Sequence, residues 1–208
     1  MRRFPQQYFG WCQLTHLYAH RTVARKIRLS GQSVSLRDSL IEFFIRAGRL
    51  AVAACQPIRW LTLAMVALTL AIVLLRYALG GGSVFIQESI MYMHGVLFML
   101  AIPMGIADNS HVRVDIIYSK LSEKKRAIID LLGHCLFLLP VAGFIFFISF
   151  AYVENSWRIT EGSSEVGGIP GVFLLKTLLP VTAALIFLQG LASIAAHAAL
   201  LLYADPAE

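Results

Sequence analysis

Four long apolar segments dominate the sequence and limit what it can fold into. They lie near residues 59–77, 84–107, 131–153 and 172–203, and each is close to the roughly 20 apolar residues that a helix needs to cross a bilayer. The runs are continuous, whereas the strands of a membrane barrel alternate over about ten residues. With 58% hydrophobic and 14% charged residues, the chain is too apolar to cover a soluble surface. The sequence therefore predicts an all-α membrane protein with four transmembrane helices.

The basic residues are distributed unevenly between the loops. Ten precede the first apolar segment and five lie in the loop after the second, whereas the loop 78–83 has none and the loop 154–171 has only Arg158. The positive-inside rule places the N-terminus and the middle loop in the cytoplasm, and four spans return the C-terminus to the same side. The net charge of +6 thus reflects membrane topology, and we expect membrane lipids and no nucleic acid as partners.

The chain divides into four predicted regions. Residues 1–34 are basic and are predicted to be weakly ordered, and residues 35–56 are predicted to form an amphipathic helix at the membrane interface. Its apolar stripe is expected to contain Leu36, Leu40, Phe43, Phe44, Ala47 and Leu50. Gln56 and Pro57 should break this helix before the transmembrane domain, 57–203, and residues 204–208 form a short cytoplasmic tail.

One carboxylate lies inside a predicted span. Glu88 follows Gln87 about one turn inside the outer boundary of the second segment, and an ionised carboxylate in hydrocarbon needs a partner. Arg76 and Lys176 lie at a similar predicted depth. We expect an ion pair with one of them that fixes helix contacts. The alternative is a proton- or ion-binding carboxylate.

Other polar residues give weaker indications. His134 and His197 lie at similar predicted depth, so a bis-histidine haem between helices is geometrically possible, although helix packing is the favoured interpretation. No pairing of a nucleophile with a base, no metal-ligand spacing and no phosphate-binding glycine pattern occurs in the sequence. It therefore predicts no enzyme, no metal site and no cofactor.

Several short strings together resemble the small membrane subunit of the tripartite ATP-independent periplasmic (TRAP) transporters. The resemblance runs from about residue 59 to residue 191. In order, the strings are Arg76-Tyr77, Phe85-Ile86-Gln87-Glu88, His111-Val112-Arg113-Val114-Asp115, Ile117-Tyr118, Ser156-Trp157, Glu161 with Ser163, Gly167-Gly168-Ile169-Pro170, Leu174-Leu175-Lys176, Pro180 and Leu188-Gln189-Gly190-Leu191. The later strings are most similar to the mannitol and chloroaromatic subgroup. Many family members have a tryptophan and paired glutamates where this chain has Phe85 and Gln87-Glu88.

The resemblance implies a division of labour in the bacterial inner membrane. A periplasmic solute-binding protein captures an organic acid, and a large permease subunit moves it with a sodium gradient. The small subunit would brace the large one and help dock the binding protein, since the chain is too short for the inverted repeats of a complete carrier. The expected docking residues are Glu161, Glu165, Gly167, Gly168 and Pro170, and the expected cytoplasmic-edge motif is His111, Arg113 and Asp115. A haem-bearing membrane anchor and a small proton-coupled exporter are the alternatives.

Overall fold

The computed structural model describes residues 36–107 and 121–203, and this part of the chain is helical with no strand. Its α-helices are α1 (Leu36–Cys55), α2 (Trp60–Leu79), α3 (Val84–Ala107), α4 (Glu123–Gly133), α5 (Leu139–Arg158) and α6 (Val172–Tyr203). Four helical stretches within the described residues are long and apolar enough to cross a membrane: Asp38–Ala78, Val84–Ala107, Lys124–Arg158 and Val172–Leu202. The predicted all-α fold with four spanning helices is confirmed.

Local chemistry explains where these helices begin and end. α2 ends at Gly80, whose φ of 63° lies in the left-handed region that a residue without Cβ adopts at low cost. The turn to α3 is correspondingly short. At α4, Ser122 takes the extended conformation of an N-cap residue, but its side chain makes no capping hydrogen bond. α3 and α6 begin at the predicted residues, because each apolar run follows a glycine-rich loop.

The α-helix α1 ends at Cys55, directly before Gln56 and Pro57, and a 3-10 turn instead of an open loop leads to α2. Residues Gln56–Arg59 form a 3-10 turn with Pro57 in its first turn. A backbone N–H at this position would have no partner within the turn, so proline loses no hydrogen bond by lacking it. Arg59 Nε donates to the carbonyl of Gln56 at 3.1 Å. The backbone therefore stays helical from α1 through this turn into α2.

A π-helical turn, His134–Leu138, joins α4 to α5. The N–H of Leu139 reaches back five residues to the carbonyl of His134, and Pro140 follows directly. Pro140 has no N–H to donate to the carbonyl four residues earlier, and in a regular α-helix its ring would clash with that carbonyl. The wider π turn before Pro140 relieves this clash. Pro103 and Pro180, by contrast, lie inside continuous helices, which membrane segments tolerate.

The described residues fall into two compact units. The first contains residues 36–51, 105–107, 121–141 and 186–203. In it, α1 packs on α6 through Ile45, Ala195 and Ala196, with Ile41 and Phe44 against them. These small residues on α6 let the two helices approach closely.

α1 and α6 approach each other closely at Gly48. A Cβ on Gly48 would lie 2.7 Å from Ala192 Cβ and 2.9 Å from Gln189 Oε1, so the space leaves no room for a side chain. Close helix packing through small residues is typical of membrane helices.

α1 has two apolar faces that differ in exposure. Leu36, Leu40, Phe43 and Leu50 are exposed, whereas the face toward α6 consists of Ile41, Phe44, Ile45 and Gly48. α1 is apolar on both sides, and the sequence pattern does not show which of them is covered. Its position at a membrane interface stays a prediction. The predicted segments 1–34 and 204–208 lie outside the described residues.

The second unit contains residues 52–104 and 142–185. The buried residues of α5 in this unit are Ala142, Ser149, Val153 and Ser156, spaced seven, four and three residues apart as one face of a helix requires. On α3, a Cβ at Gly95 would lie 2.8 Å from Leu175 Cδ1 of α6. These contacts hold the helices whose ends carry the polar loop described next.

Candidate functional site

Residues 159–171 connect α5 to α6, and we refer to them as the connecting loop. Its own backbone closes it: the Ser163 N–H donates to the Ile169 carbonyl at 3.1 Å, and the Gly168 N–H donates to the Glu165 carbonyl at 3.1 Å. Gly167 has a φ of 81° and Thr160 a φ of 44°, so the chain reverses at left-handed positions. A short turn of this kind presents one defined surface.

Glu88 of α3 bridges the two sides of the connecting loop. Ser163 Oγ donates to one carboxylate oxygen, and the Ile169 N–H donates to the other at 2.5 Å. Ser163 and Ile169 are also the two residues that the loop backbone joins. The carboxylate therefore accepts hydrogen bonds from both sides of the connecting loop. Hydrogen bonds to a charged acceptor are among the stronger ones in proteins.

Gly168 is required by the same arrangement. A Cβ at this position would lie 2.7 Å from Glu88 Oε1 and would overlap Ser163 Oγ. Any side chain at residue 168 would force the carboxylate and the serine apart. The glycine therefore fits the close approach of the loop backbone to Glu88.

Lys176 and Glu161 form a second anchor of the connecting loop. Lys176 Nζ lies 2.5 Å from Glu161 Oε2, and Ser156 Oγ donates to the same oxygen at 2.6 Å. The ammonium also lies 4.3 Å from the centroid of the Tyr152 ring, a cation–π distance. Hydrogen bonds from Lys176 and then from Ser156 lower the pKa of the Glu161 carboxyl, so Glu161 is ionised at neutral pH.

Trp157 and Thr177 fasten the helices next to the loop. Trp157 Nε1 donates to Thr177 Oγ1 at 2.8 Å, and its indole packs edge-on against Phe173 with ring centroids 4.7 Å apart. This contact joins the end of α5 to the start of α6. The loop therefore leaves and re-enters two helices that are held together at its base.

The expected partners of Glu88 are not the observed ones. Glu88 is bonded to Ser163 and Ile169, whereas the cation of Lys176 is taken by Glu161. Arg76 is exposed, and within residues 36–107 and 121–203 no carboxylate lies within ion-pair distance of it. The predicted membrane depths of Glu88, Arg76 and Lys176 were compatible with the expected ion pairs. Depth along the spans, however, does not predict that the connecting loop contacts α3.

The remaining predicted residues are placed differently. Gln87 is exposed and lines an open groove of about 350 Å³ together with Val84, Glu88, Met91 and Glu165. Gly167 and Pro170 are exposed in the connecting loop. The predicted cytoplasmic-edge motif of His111, Arg113 and Asp115 lies outside the described residues, and its role stays a prediction.

Sequence reasoning missed two contributors to the site. The sequence analysis gave Ser163 only as part of a family string, and a backbone N–H such as that of Ile169 cannot be recognised from a side-chain pattern. The feature that could have indicated these two groups is a short polar loop with a serine and two adjacent glycines, together with a carboxylate inside a predicted span.

The geometry around His134 and His197, which are partly buried, does not fit a haem. Their rings lie 5.7 Å apart between centroids, and Asp130 Oδ2 lies 3.4 Å from His197 Nε2, the ring nitrogen that does not contact a backbone carbonyl. Among the described residues, no group of three or more histidine, cysteine, aspartate or glutamate side chains could hold a metal ion.

Comparison with protein families gives one match. Residues 65–200 match the family described as tripartite ATP-independent periplasmic transporters, DctQ component, and this range is more than half of the chain. The chain belongs to the DctQ family. No curated protein and no solved structure matches it.

Membership of the DctQ family makes the chain a component of a TRAP transporter and not an enzyme. The matched range contains Glu88, the connecting loop and Lys176. Both anchors therefore lie in the part of the chain that it shares with the DctQ family, whereas α1 precedes it. With its four apolar helices, the DctQ chain is a multi-pass membrane protein.

Proposed function

We propose that this chain braces the large permease subunit of a TRAP transporter and helps dock a periplasmic solute-binding protein during sodium-driven uptake of an organic acid. The observation that carries the docking role is the connecting loop, which its backbone closes and which Glu88 and Lys176 tie to α3 and α6. Membership of the DctQ family supports the partners. The mannitol and chloroaromatic subgroup is part of this proposal and rests on the later sequence strings.

The structure changes which loop residues we assign to docking. Glu161 is engaged by Lys176 and Ser156, so its charge is largely neutralised within the chain. Glu165 is exposed, and Val166 beside it is 96% exposed. We therefore assign the docking contact to Glu165 and Val166. An apolar spot next to a carboxylate fits a partner surface with an apolar recess beside a basic residue.

The bracing role is supported by the exposed apolar faces of the spanning helices. On α5, the exposed large side chains include Phe144, Phe147 and Ile148, and on α2 they include Leu63, Val66 and Leu70. Such faces suit lipid or a neighbouring membrane subunit. The DctQ family is one component of such a transporter, and we assign the translocation pathway to the large subunit.

The docking role requires the connecting loop to face the periplasm, as the loop charges indicate. A reporter that is active only in the periplasm should be active when it is inserted at Gly162 and inactive when it is fused after Glu208. A reporter active in the cytoplasm, fused at the same sites, is the control and should give the opposite pattern. Activity of the periplasmic reporter after Glu208 and not at Gly162 would reverse the topology.

Reconstitution tests the function as a whole. Liposomes that contain this chain and the large subunit, with the binding protein outside, should take up the organic acid when a sodium gradient is applied. Omission of this chain should abolish uptake, because the brace and part of the docking surface are then missing.

The controls separate this proposal from its alternatives. Liposomes with this chain alone should show no uptake, since the chain is too short for the repeats of a carrier. Uptake that persists without this chain would make it dispensable. Transport by the chain alone would make it a carrier.

A further inference from the structure

The open groove of about 350 Å³ beside the connecting loop has two carboxylates and two apolar side chains in its lining. Val84, Gln87, Glu88 and Met91 come from α3, where they are three or four residues apart and so share one face of the helix. The connecting loop contributes Glu165. All five residues belong to the second unit, so the groove is formed within one compact part of the chain.

Glu88 keeps its negative charge although both of its oxygens are hydrogen-bonded. The donors are the hydroxyl of Ser163 and the N–H of Ile169, and both are neutral, so they stabilise the carboxylate without neutralising it. Among the side chains that the structure describes, no lysine or arginine lies within ion-pair distance of Glu88 or Glu165. The groove is therefore anionic, and its charge is not balanced within this part of the chain.

Ser163 fixes the two acidic residues beside the same groove. Its Oγ donates to Glu88 and accepts a hydrogen bond from the backbone N–H of Glu165 at 3.1 Å. Because one hydroxyl contacts both residues, they are held near each other before any partner binds. Charges of one sign that line a cleft with apolar walls concentrate the electric field and attract an ion of the opposite sign.

The lining of the groove favours a long cationic side chain over a metal ion. Among the described residues, no group of three or more histidine, cysteine, aspartate or glutamate side chains could hold a metal ion. A guanidinium carries five N–H donors in one plane and is more weakly hydrated than an ammonium, so it can bond to two carboxylates at once. The aliphatic stem of an arginine packs well on apolar side chains. An arginine therefore matches both the charges and the apolar lining.

We propose that the groove receives an arginine side chain of the periplasmic solute-binding protein. The guanidinium bonds to the two carboxylates of the groove, and the aliphatic stem packs on Val84 and Met91. This inference rests on the proposed function, and it gives the docking surface a specific partner group. Gln87 lines the groove but is neutral, and we assign it no contact with the arginine.

Two substitutions of Gln87 change the charge of the groove and should have opposite effects on uptake by the reconstituted complex. Gln87→Lys places an ammonium of the chain itself beside the carboxylates, and it should raise the concentration of binding protein needed for half-maximal uptake by about tenfold. Gln87→Glu adds a carboxylate and should lower that concentration by about threefold. A structural role of residue 87 would not give effects of opposite sign.

Glu154→Lys is the control for a change of charge outside the groove. Glu154 is exposed on α5 and does not line the groove, so its reversal should leave the demand for binding protein unchanged. Both variants of Gln87 should melt at the temperature of the unmodified chain, because Gln87 is exposed. An equal effect of Glu154→Lys and Gln87→Lys would show that only the overall charge of the surface matters, and it would overturn the proposal.

The partner's arginine is identified by replacing the surface arginines of the binding protein with alanine, one at a time. One of these variants should raise the concentration needed for half-maximal uptake by about tenfold with the unmodified chain. It should have no further effect when the chain carries Gln87→Lys, because both changes remove the same contact. If no arginine variant is coupled to Gln87→Lys in this way, the groove does not bind an arginine of this partner.

Failure of this inference can be distinguished from failure of the proposed function. If uptake requires this chain but both variants of Gln87 behave like the unmodified chain, the groove has no part in docking while the proposed function stands. If uptake proceeds without this chain, the proposed function is wrong, and the inference about the groove is wrong with it.

Discussion

Replacing Glu88 with alanine should raise the concentration of binding protein needed for half-maximal uptake by about tenfold or more. The carboxylate accepts hydrogen bonds from Ser163 Oγ and from the Ile169 N–H, and without it the two sides of the connecting loop have no common acceptor. Glu88→Gln keeps one acceptor oxygen and should give an intermediate loss. Uptake by reconstituted complex, measured against binding-protein concentration, gives the result.

A second variant separates this role from ion coupling. Gly168→Ala leaves every charge in place but puts a methyl group into Ser163 Oγ and 2.7 Å from Glu88 Oε1, so it should show the same loss as Glu88→Ala. Gln87→Ala is the control, because Gln87 is exposed beside Glu88. If Glu88→Gln changes the sodium dependence of uptake but not the concentration of binding protein needed for half-maximal uptake, the carboxylate couples ions.

Replacing Lys176 with methionine should lower the melting temperature of the chain by about 5 °C. The substitution leaves Glu161 and Ser156 without the ammonium that lies 2.5 Å from the carboxylate, and it removes the cation from the Tyr152 ring. The charge-swapped double variant, Glu161→Lys with Lys176→Glu, should recover part of the loss. Glu165→Lys is the control and should leave the melting temperature unchanged, because Glu165 is exposed.

The pH dependence of the same pair has a defined sign. The folded-state pKa of Glu161 is lowered by Lys176 and then by Ser156, so the pair contributes its full stability above the pKa of an unfolded glutamate. That contribution is lost as the pH falls through the lowered value. The melting temperature of the unmodified chain should therefore fall in acid more steeply than that of Lys176→Met. Parallel curves would show that the ion pair has no part in stability.

The sequence predicts the helices better than it predicts their contacts. The starts of α3 and α6 follow from long apolar runs that begin after turn-forming residues, and the fold class follows from the same runs. Pro57 and Pro140 show the limit of local rules: both interrupt regular α-helical hydrogen bonding, yet the backbone adapts with a 3-10 turn in one case and a π turn in the other. Pro57 lies in the first turn of the 3-10 segment, whereas Pro140 follows the π turn.

The candidate site was predicted by residue type and not by pairing. Glu88, Glu161 and Lys176 were all identified as polar groups at one end of the spans, and all three take part in the anchors. Their partners depend on the fold of the connecting loop, where a backbone N–H at Ile169 competes with cations for Glu88. The faces of α1 were uncertain for a similar reason, since Gly48 and Ile45 become a contact surface only when α6 lies against them.

The closed backbone of the connecting loop has a kinetic consequence for a partner that must visit repeatedly. Because the connecting loop is ordered when the chain folds, the binding of a partner does not include the entropy cost of ordering the loop. Such a surface allows rapid association with little conformational change, and modest contact area then permits equally rapid release. The proposed periplasmic binding protein would benefit from this combination, since a tightly held partner would limit the number of deliveries in a given time.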